Sequence, residues 1–158
     1  MRKVLCIVIF LGFALIACSE EKNVIDILEA PAILSVEQKE NQDEINQITG
    51  VVCWSNCSND DRGFSFEDID EYTLNSLSIN PIKEDAVFQI THEGPLADEY
   101  GYIAQINKGD SSAGYSTYID SNEFQAFKDD GTYMVIAQWF DKDELLGYVY
   151  SLYKVEVE

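Results

Sequence analysis

Apolar and polar residues alternate along much of this chain, with the two-residue period that is typical of β-strands. Every second position is apolar in two clear cases, which are Ala86, Phe88 and Ile90, and Tyr100, Tyr102, Ala104 and Ile106. Clusters of Gly, Asp and Asn separate such segments and favour turns between them. The pattern predicts seven strands, over residues 48–53, 72–79, 86–92, 100–107, 115–119, 131–140 and 147–157.

The segment 133–140 departs from strict alternation, because Gln138 is its only polar residue. Such a run predicts a central strand that is covered on both faces. The residues expected on one buried face of it are Tyr133, Val135, Ala137 and Trp139. Seven short strands at this spacing indicate an all-β fold, either a small β-sandwich or a small β-barrel.

One local pattern favours the sandwich. Asp130-Gly131-Thr132-Tyr133 is followed by Val135 and Ala137 and by a last strand ending in Val155 and Val157. This arrangement resembles the final hairpin of bacterial immunoglobulin-like domains. In those domains a Tyr begins the penultimate strand and its hydroxyl group bonds back to the preceding turn. The resemblance implies an immunoglobulin-like β-sandwich and implies that role for Tyr133.

The N-terminus has a different pattern. Arg2 and Lys3 precede an unbroken apolar run of fourteen residues, whereas a helix that spans a bilayer needs about 20. The pattern predicts a secretory signal peptide over residues 1–17. Leu15-Ile16-Ala17-Cys18 resembles the bacterial lipobox, which implies that Cys18 becomes the mature N-terminus and carries lipid, palmitate included. Ser19, where inner-membrane lipoproteins have Asp, implies the outer membrane, and Ser19-Glu20-Glu21-Lys22 resembles the acidic tetrads of surface-exposed lipoproteins.

Residues 18–47 are rich in Glu, Gln, Asn and Asp, and we interpret them as an acidic, flexible tether to a domain over residues 48–158. Packing of part of this stretch on the domain is the alternative. The chain has a net charge of −19, which becomes −21 when Arg2 and Lys3 leave with the signal peptide. A charge of this sign argues against a nucleic-acid partner. It also argues against electrostatic docking on anionic membranes, so the membrane is expected as a partner through the lipid anchor at Cys18.

Two cysteines remain after Cys6 and Cys18 are assigned to the N-terminal segment. Cys53 and Cys57 form an even pair in a chain expected in an oxidising compartment, so we predict a disulfide between them. A zinc site would need two more soft ligands, and the chain has one histidine, His92. A redox-active pair is an alternative, although the spacing is C-x₃-C instead of C-x-x-C.

Candidate chemistry beyond these cysteines is limited. Neither a P-loop nor a G-x-G-x-x-G is present, and no serine lies in a G-x-S-x-G. We therefore expect no cofactor, no catalytic residue and no enzyme activity, and we interpret His92 as a loop residue without a role. Asp141, Asp143 and Glu144 are weak candidate calcium ligands in a turn, and a solvated acidic turn is the favoured interpretation of them. Trp54, Tyr115 and Tyr118 are candidate stacking residues for a sugar or peptide ligand.

These observations together predict a lipid-anchored bacterial envelope protein with a binding or structural role. Its partners would be the membrane and a glycan or another envelope protein. The first alternative is an accessory lipoprotein that captures glycans for an uptake system. The second is a small secreted hydrolase, since β-sandwiches carry many functions.

Overall fold

Ten strands and one short α-helix form the described part of the computed structural model, which covers residues 30–40, 43–84, 86–108, 111–125 and 129–158, with backbone only for 43–44, 107–108 and 111–116. The strands are β1 (Leu34–Gln38), β2 (Asp43–Glu44), β3 (Ile48–Trp54), β4 (Ile79–Ile82), β5 (Val87–His92), β6 (Glu99–Lys108), β7 (Ser111–Ile119), β8 (Glu123–Gln125), β9 (Gly131–Asp141) and β10 (Glu144–Val157). The helix is α1 (Glu71–Ser76), and two 3₁₀ turns, Asp60–Gly63 and Phe66–Asp68, precede it.

The strands form two sheets, which pack as a sandwich. The first sheet has four antiparallel strands in the order β2-β1-β5-β8. The second has the order β3-β10-β9-β6-β7, and β4 continues the edge formed by β3, parallel to the last residues of β10. The all-β prediction is therefore confirmed, and the architecture is the sandwich instead of the barrel.

The main core lies between the two sheets. Large side chains of the first sheet, including Leu34, Phe88 and Ile90, pack against the inner face of the second sheet. That inner face carries the predicted row of β9, which is Tyr133, Val135, Ala137 and Trp139, each of them fully buried. Alternation along β9 thus places this row in the core, as predicted.

The outer face of the second sheet is covered over part of its width. Residues 58–77 fold across it, and Leu77 packs there with Met134 and Leu152. The apolar side chains that line this smaller core are Ile48, Phe64, Phe66, Ile69, Leu74, Ile103, Ile136 and Tyr150. Strand β9 is therefore covered on both faces, which confirms the prediction made from its nearly unbroken apolar run.

Six of the seven predicted strands are present, and the prediction for residues 72–79 is wrong. Most of that segment is α1, because Asp70 caps a helix there: its carboxylate accepts hydrogen bonds from the Thr73 amide at 2.9 Å and the Thr73 hydroxyl at 2.6 Å. A capped N-terminus stabilises a helix by satisfying its free N–H groups. The β-branched and aromatic residues of this segment, in contrast, favour a β-strand.

The interpretation of residues 18–47 as a tether is wrong for its last part. Strand β1 pairs with β5 along its whole length, and Leu34 and Val36 are fully buried in the main core. Gln47 secures the same region, since its side-chain oxygen accepts a hydrogen bond from the Val36 amide at 2.9 Å. The folded domain therefore begins at least fourteen residues before residue 48, at Leu34.

The hydroxyl group of Tyr133 donates a hydrogen bond to the carbonyl oxygen of Asp129 at 2.6 Å. This is the kind of contact that the immunoglobulin-like resemblance implies, although a family relationship does not follow from one hydrogen bond. Among the described residues, no helix has the length and apolar character needed to cross a membrane.

Candidate functional site

The part of the second sheet's outer face that residues 58–77 leave open forms a groove of about 610 Å³, here called the outer groove. Strands β6, β9 and β10 supply its floor, and β7 lies at one side. The 3₁₀ turn Asp60–Gly63 with Phe64 forms the opposite wall. Its volume lies within the range of about 300–1,000 Å³ that is usual for ligand sites.

Strand register explains why these side chains meet. Tyr118 lies opposite Gly101, and Gly101 lies opposite Ile136, so the three form one row across β7, β6 and β9. The next row is Glu99, Gln138 and Tyr148, across β6, β9 and β10. A side chain at Gly101 would meet Ile136, since an added Cβ atom would lie 3.3 Å from its Cδ1 atom. Glycine at this position therefore leaves space above the groove floor beside Tyr118.

Gln138 is the unusual residue of the floor. Three polar residues are buried in the described part of the chain, which are Asn80, Gln138 and Ser151. The Asn80 side chain bonds to the backbone of Asn46 and Lys154, and the Ser151 hydroxyl donates to Gln47. The Gln138 carboxamide is 6% exposed, lines the groove, and makes no hydrogen bond to any other described residue.

Tyr148 lies directly beside Gln138 on β10 and repeats this feature. Its side chain is 1% exposed, and its hydroxyl group also makes no hydrogen bond within the described part of the chain. Burial raises the pKa of Tyr148 to about 12, with smaller contributions from Tyr118 and Asp68. The hydroxyl group is therefore protonated at neutral pH and can donate a hydrogen bond into the groove.

Three contacts with aromatic rings hold the walls. Phe64 stacks on Tyr150, with ring centroids 5.2 Å apart, and meets Tyr148 edge-on at 6.0 Å. The guanidinium group of Arg62 lies 5.1 Å from the centre of the Phe140 ring and donates a hydrogen bond to the carbonyl oxygen of Asp143. These contacts link residues 58–77 to the β9–β10 turn, so the wall is fixed relative to the floor.

Tyr118 is the one predicted stacking residue that the structure places in the outer groove. Its side chain is 73% exposed and stands at the open side, on the edge strand β7. Trp54 does not line the outer groove: it is partly buried and packs on the main core with its ring 5.2 Å from Trp139. The side chain of Tyr115 lies outside the described residues.

The predicted Cys53–Cys57 disulfide is confirmed, with a sulfur–sulfur distance of 2.03 Å and Cα atoms 5.2 Å apart. It closes a tight turn after β3, directly before the residues that form the groove wall. In the described part of the chain, the one group of three close metal-type ligands is Cys53, Cys57 and Asp61. Two of its members are the disulfide sulfurs, so it does not offer thiolates to a metal ion.

The candidate calcium ligands do not converge. Asp141 and Glu144 are paired on β9 and β10, and Asp143 lies in the turn between them, with Lys142 at a φ angle of 58°. None of the three belongs to a group of close ligand atoms. The backbone of Asp143 instead contacts Arg62 in the groove wall.

His92 lies at the end of β5 and not in a loop, and it faces away from the outer groove. Its Nε2 atom is 2.7 Å from the Tyr100 hydroxyl oxygen, and its ring meets Trp139 edge-on. Burial lowers the pKa of His92, and a backbone contact at Glu93 partly opposes this effect. Its surroundings are those of a core residue.

Sequence reasoning missed most of the groove. Gln138 is the one polar residue in the apolar run 133–140, and that signal marks the floor of the site. Gly101, Tyr148 and the wall residue Arg62 gave no comparable signal, because only strand register and the fold of residues 58–77 bring them together. Cys18 and the lipobox lie outside the described residues. Comparisons with family models, curated proteins and solved structures found no match to this chain.

Proposed function

We propose that this protein is a lipid-anchored bacterial envelope protein that binds carbohydrate in the outer groove without transforming it. The observation that carries this proposal is the pair Gln138 and Tyr148, two buried polar side chains that have no hydrogen-bond partner among the described residues and lie near the exposed ring of Tyr118. Both groups line the open groove, so water can pair with them in the free protein. A ligand that pairs both groups would take the place of that water.

Carbohydrate fits the chemistry of these groups. The carboxamide of Gln138 offers donors and an acceptor, and the Tyr148 hydroxyl offers both roles. Each hydroxyl group of a sugar can likewise donate and accept, while the C–H face of a sugar ring can pack on an aromatic ring such as Tyr118. An apolar surface with a few well-placed polar groups is the usual composition of a small-molecule site.

The remaining carboxylates support binding instead of hydrolysis. Glycosidases generally need two free carboxyl groups that flank the scissile bond. Three carboxylates line the groove, those of Asp98, Glu99 and Asp143, and the Oδ2 atom of Asp98 already accepts a hydrogen bond from the Phe140 amide at 2.9 Å. His92, which could serve as a general base, packs against Trp139 on the inner face of the same sheet. A secreted hydrolase is therefore the less favoured alternative.

The anchor is proposed from the N-terminal sequence. The lipobox-like Leu15-Ile16-Ala17-Cys18 would attach the domain to the envelope through Cys18, and Ser19 favours the outer membrane. Glycan capture for a neighbouring uptake system would be the role of such a protein. A purely structural envelope protein is the alternative, and the groove with its exposed Tyr118 ring is what favours a binding role.

Screening the full chain, purified in detergent, on a glycan array tests this proposal. We expect at least one glycan to bind, and Tyr118→Ala to weaken that binding about tenfold or more, on the scale of about 1–3 kcal/mol that ring stacking contributes in nucleic-acid binders. Gln138→Leu, which keeps the volume but removes the carboxamide, should also weaken it.

The matched control is Tyr72→Ala, because Tyr72 is 83% exposed on α1 and does not line the groove. It should leave the affinity unchanged. Binding of peptides but not glycans on a parallel peptide array would refute the carbohydrate proposal. Turnover of a bound glycan by the purified chain would refute the proposed absence of catalysis.

A further inference from the structure

A second depression, of about 400 Å³, adjoins the outer groove at its Tyr118 side. It is lined by residues that end β6 and β7, namely Ala97, Asp98, Glu99, Tyr100, Tyr118, Ile119, Asp120 and Ser121. Three of these residues, Asp98, Glu99 and Tyr118, also line the outer groove. The two depressions therefore meet at a common boundary, and the exposed Tyr118 ring stands on it.

This boundary is at an edge of the molecule. Strand β7 is the last strand of the second sheet, and in the described part of the chain no strand pairs with its outer side. Tyr118 is therefore a ridge that a ligand can cross, because the sheet ends there instead of continuing into a wall. A site that is open on this side can accept the middle of a long ligand. A pocket that binds the terminal unit of a polymer would be closed there.

We propose that the site takes an internal segment of a polysaccharide, which crosses the strands from the outer groove over Tyr118 into the second depression. The proposal rests on the proposed carbohydrate-binding function and specifies its ligand. From β10 to β7 the outer groove crosses three strand spacings, about 14 Å. The second depression extends the site beyond that distance, so several linked sugar units are needed to contact both.

Charge narrows the class of polysaccharide further. The carboxylates of Asp98, Glu99 and Asp120 line the second depression, and no Lys or Arg does. In the outer groove the cations Arg62 and Lys142 are outnumbered by the carboxylates of Asp98, Glu99 and Asp143. Arg62 is also held by the Phe140 ring and the Asp143 carbonyl group. The chain as a whole has a net charge of −19. Uronate-rich or sulfated chains would be repelled from such a site, so the ligand is an uncharged polysaccharide.

Calorimetric titration of the full chain in detergent tests the inference. The probes are neutral oligosaccharides, disaccharide to hexasaccharide, of the β-1,3-glucan, β-1,4-glucan, α-1,4-glucan and β-1,4-mannan series. In the series that binds, we expect the affinity to rise about tenfold or more from disaccharide to hexasaccharide. Reducing the terminal unit of the hexasaccharide to its alditol should leave the affinity unchanged, because an internal segment makes the contacts.

The variant Asp120→Ala separates the two depressions, since Asp120 lines only the second one. It should weaken hexasaccharide binding several-fold and leave disaccharide binding unchanged. Glu156→Ala removes the same charge from an exposed position on β10 that lines neither depression, and it should change neither affinity.

Two different failures can be told apart. An affinity independent of chain length, or lost when the terminal unit is reduced, would overturn the inference while leaving carbohydrate binding intact. An absence of binding to all four series, together with an empty glycan array, would overturn the proposed function and the inference with it.

Discussion

Trp139 contacts two other aromatic rings at one end of the main core. Its indole N–H donates to the carbonyl oxygen of Pro95 at 3.0 Å, and the rings of Trp54 and His92 both approach it edge-on. It is fully buried. Truncation would therefore remove a hydrogen bond and ring contacts and would leave a large cavity.

We expect Trp139→Ala to lower the free energy of unfolding by about 3–5 kcal/mol, the usual range for truncating a buried large aromatic side chain. Denaturant unfolding followed by circular dichroism measures this change. Tyr72→Ala is the control, and it should stay within about 0.5 kcal/mol of the wild-type value. A loss below about 1 kcal/mol for Trp139→Ala would contradict the burial of this ring.

At the same scale, sequence alone could not separate Trp54 from Tyr118. Both are large aromatic residues near turns, and what decides their exposure is the neighbour that each one meets. Trp54 meets Trp139 from another strand, whereas Tyr118 lies on an edge strand opposite a glycine. Gln138, in contrast, can be singled out from the sequence. A polar residue inside an apolar run indicates a position whose surroundings differ from those of the apolar core.

At the scale of elements, periodicity predicted the long strands and failed for the short ones. Strands β1, β2, β4 and β8 have two to five residues each, too few for alternation to stand out from chance. Helix α1 is also short, and its cap at Asp70 is a stronger local signal than the β-propensity of the residues after it. Strand order was not predictable, because β1 and β5 are paired across about fifty residues of sequence.

The Cys53–Cys57 disulfide is the element-scale link between β3 and the groove wall. Because it closes a short loop, Cys53→Ser combined with Cys57→Ser should lower the free energy of unfolding by only about 2 kcal/mol. Chemical unfolding of the exported double variant measures this, and its circular dichroism spectrum should remain that of a β-protein. Global unfolding of the double variant at room temperature would mean that the crosslink does more than close its own loop.

At the scale of the whole molecule, the proposal of an exported, lipid-anchored protein comes from the N-terminal sequence. We expect mass spectrometry of the membrane fraction to find a mature N-terminus at Cys18 that carries acyl groups. Cys18→Ser should prevent this modification and release the chain from the membrane fraction. Cleavage at another position, or an unmodified Cys18 in membrane-bound protein, would contradict the lipoprotein assignment.

Because the folded domain begins as early as Leu34, the segment that links it to Cys18 is short. This length limits how far from the membrane the outer groove can lie. Fifteen residues separate Cys18 from Leu34, and a chain of that length can extend at most about 50–55 Å. A tether that ran to residue 47 would have had almost twice this reach. If Cys18 is fixed in the bilayer, the domain samples only a thin layer next to the membrane. Polymers must then come to that layer to be captured, and a captured chain is held within reach of any transporter in the same membrane.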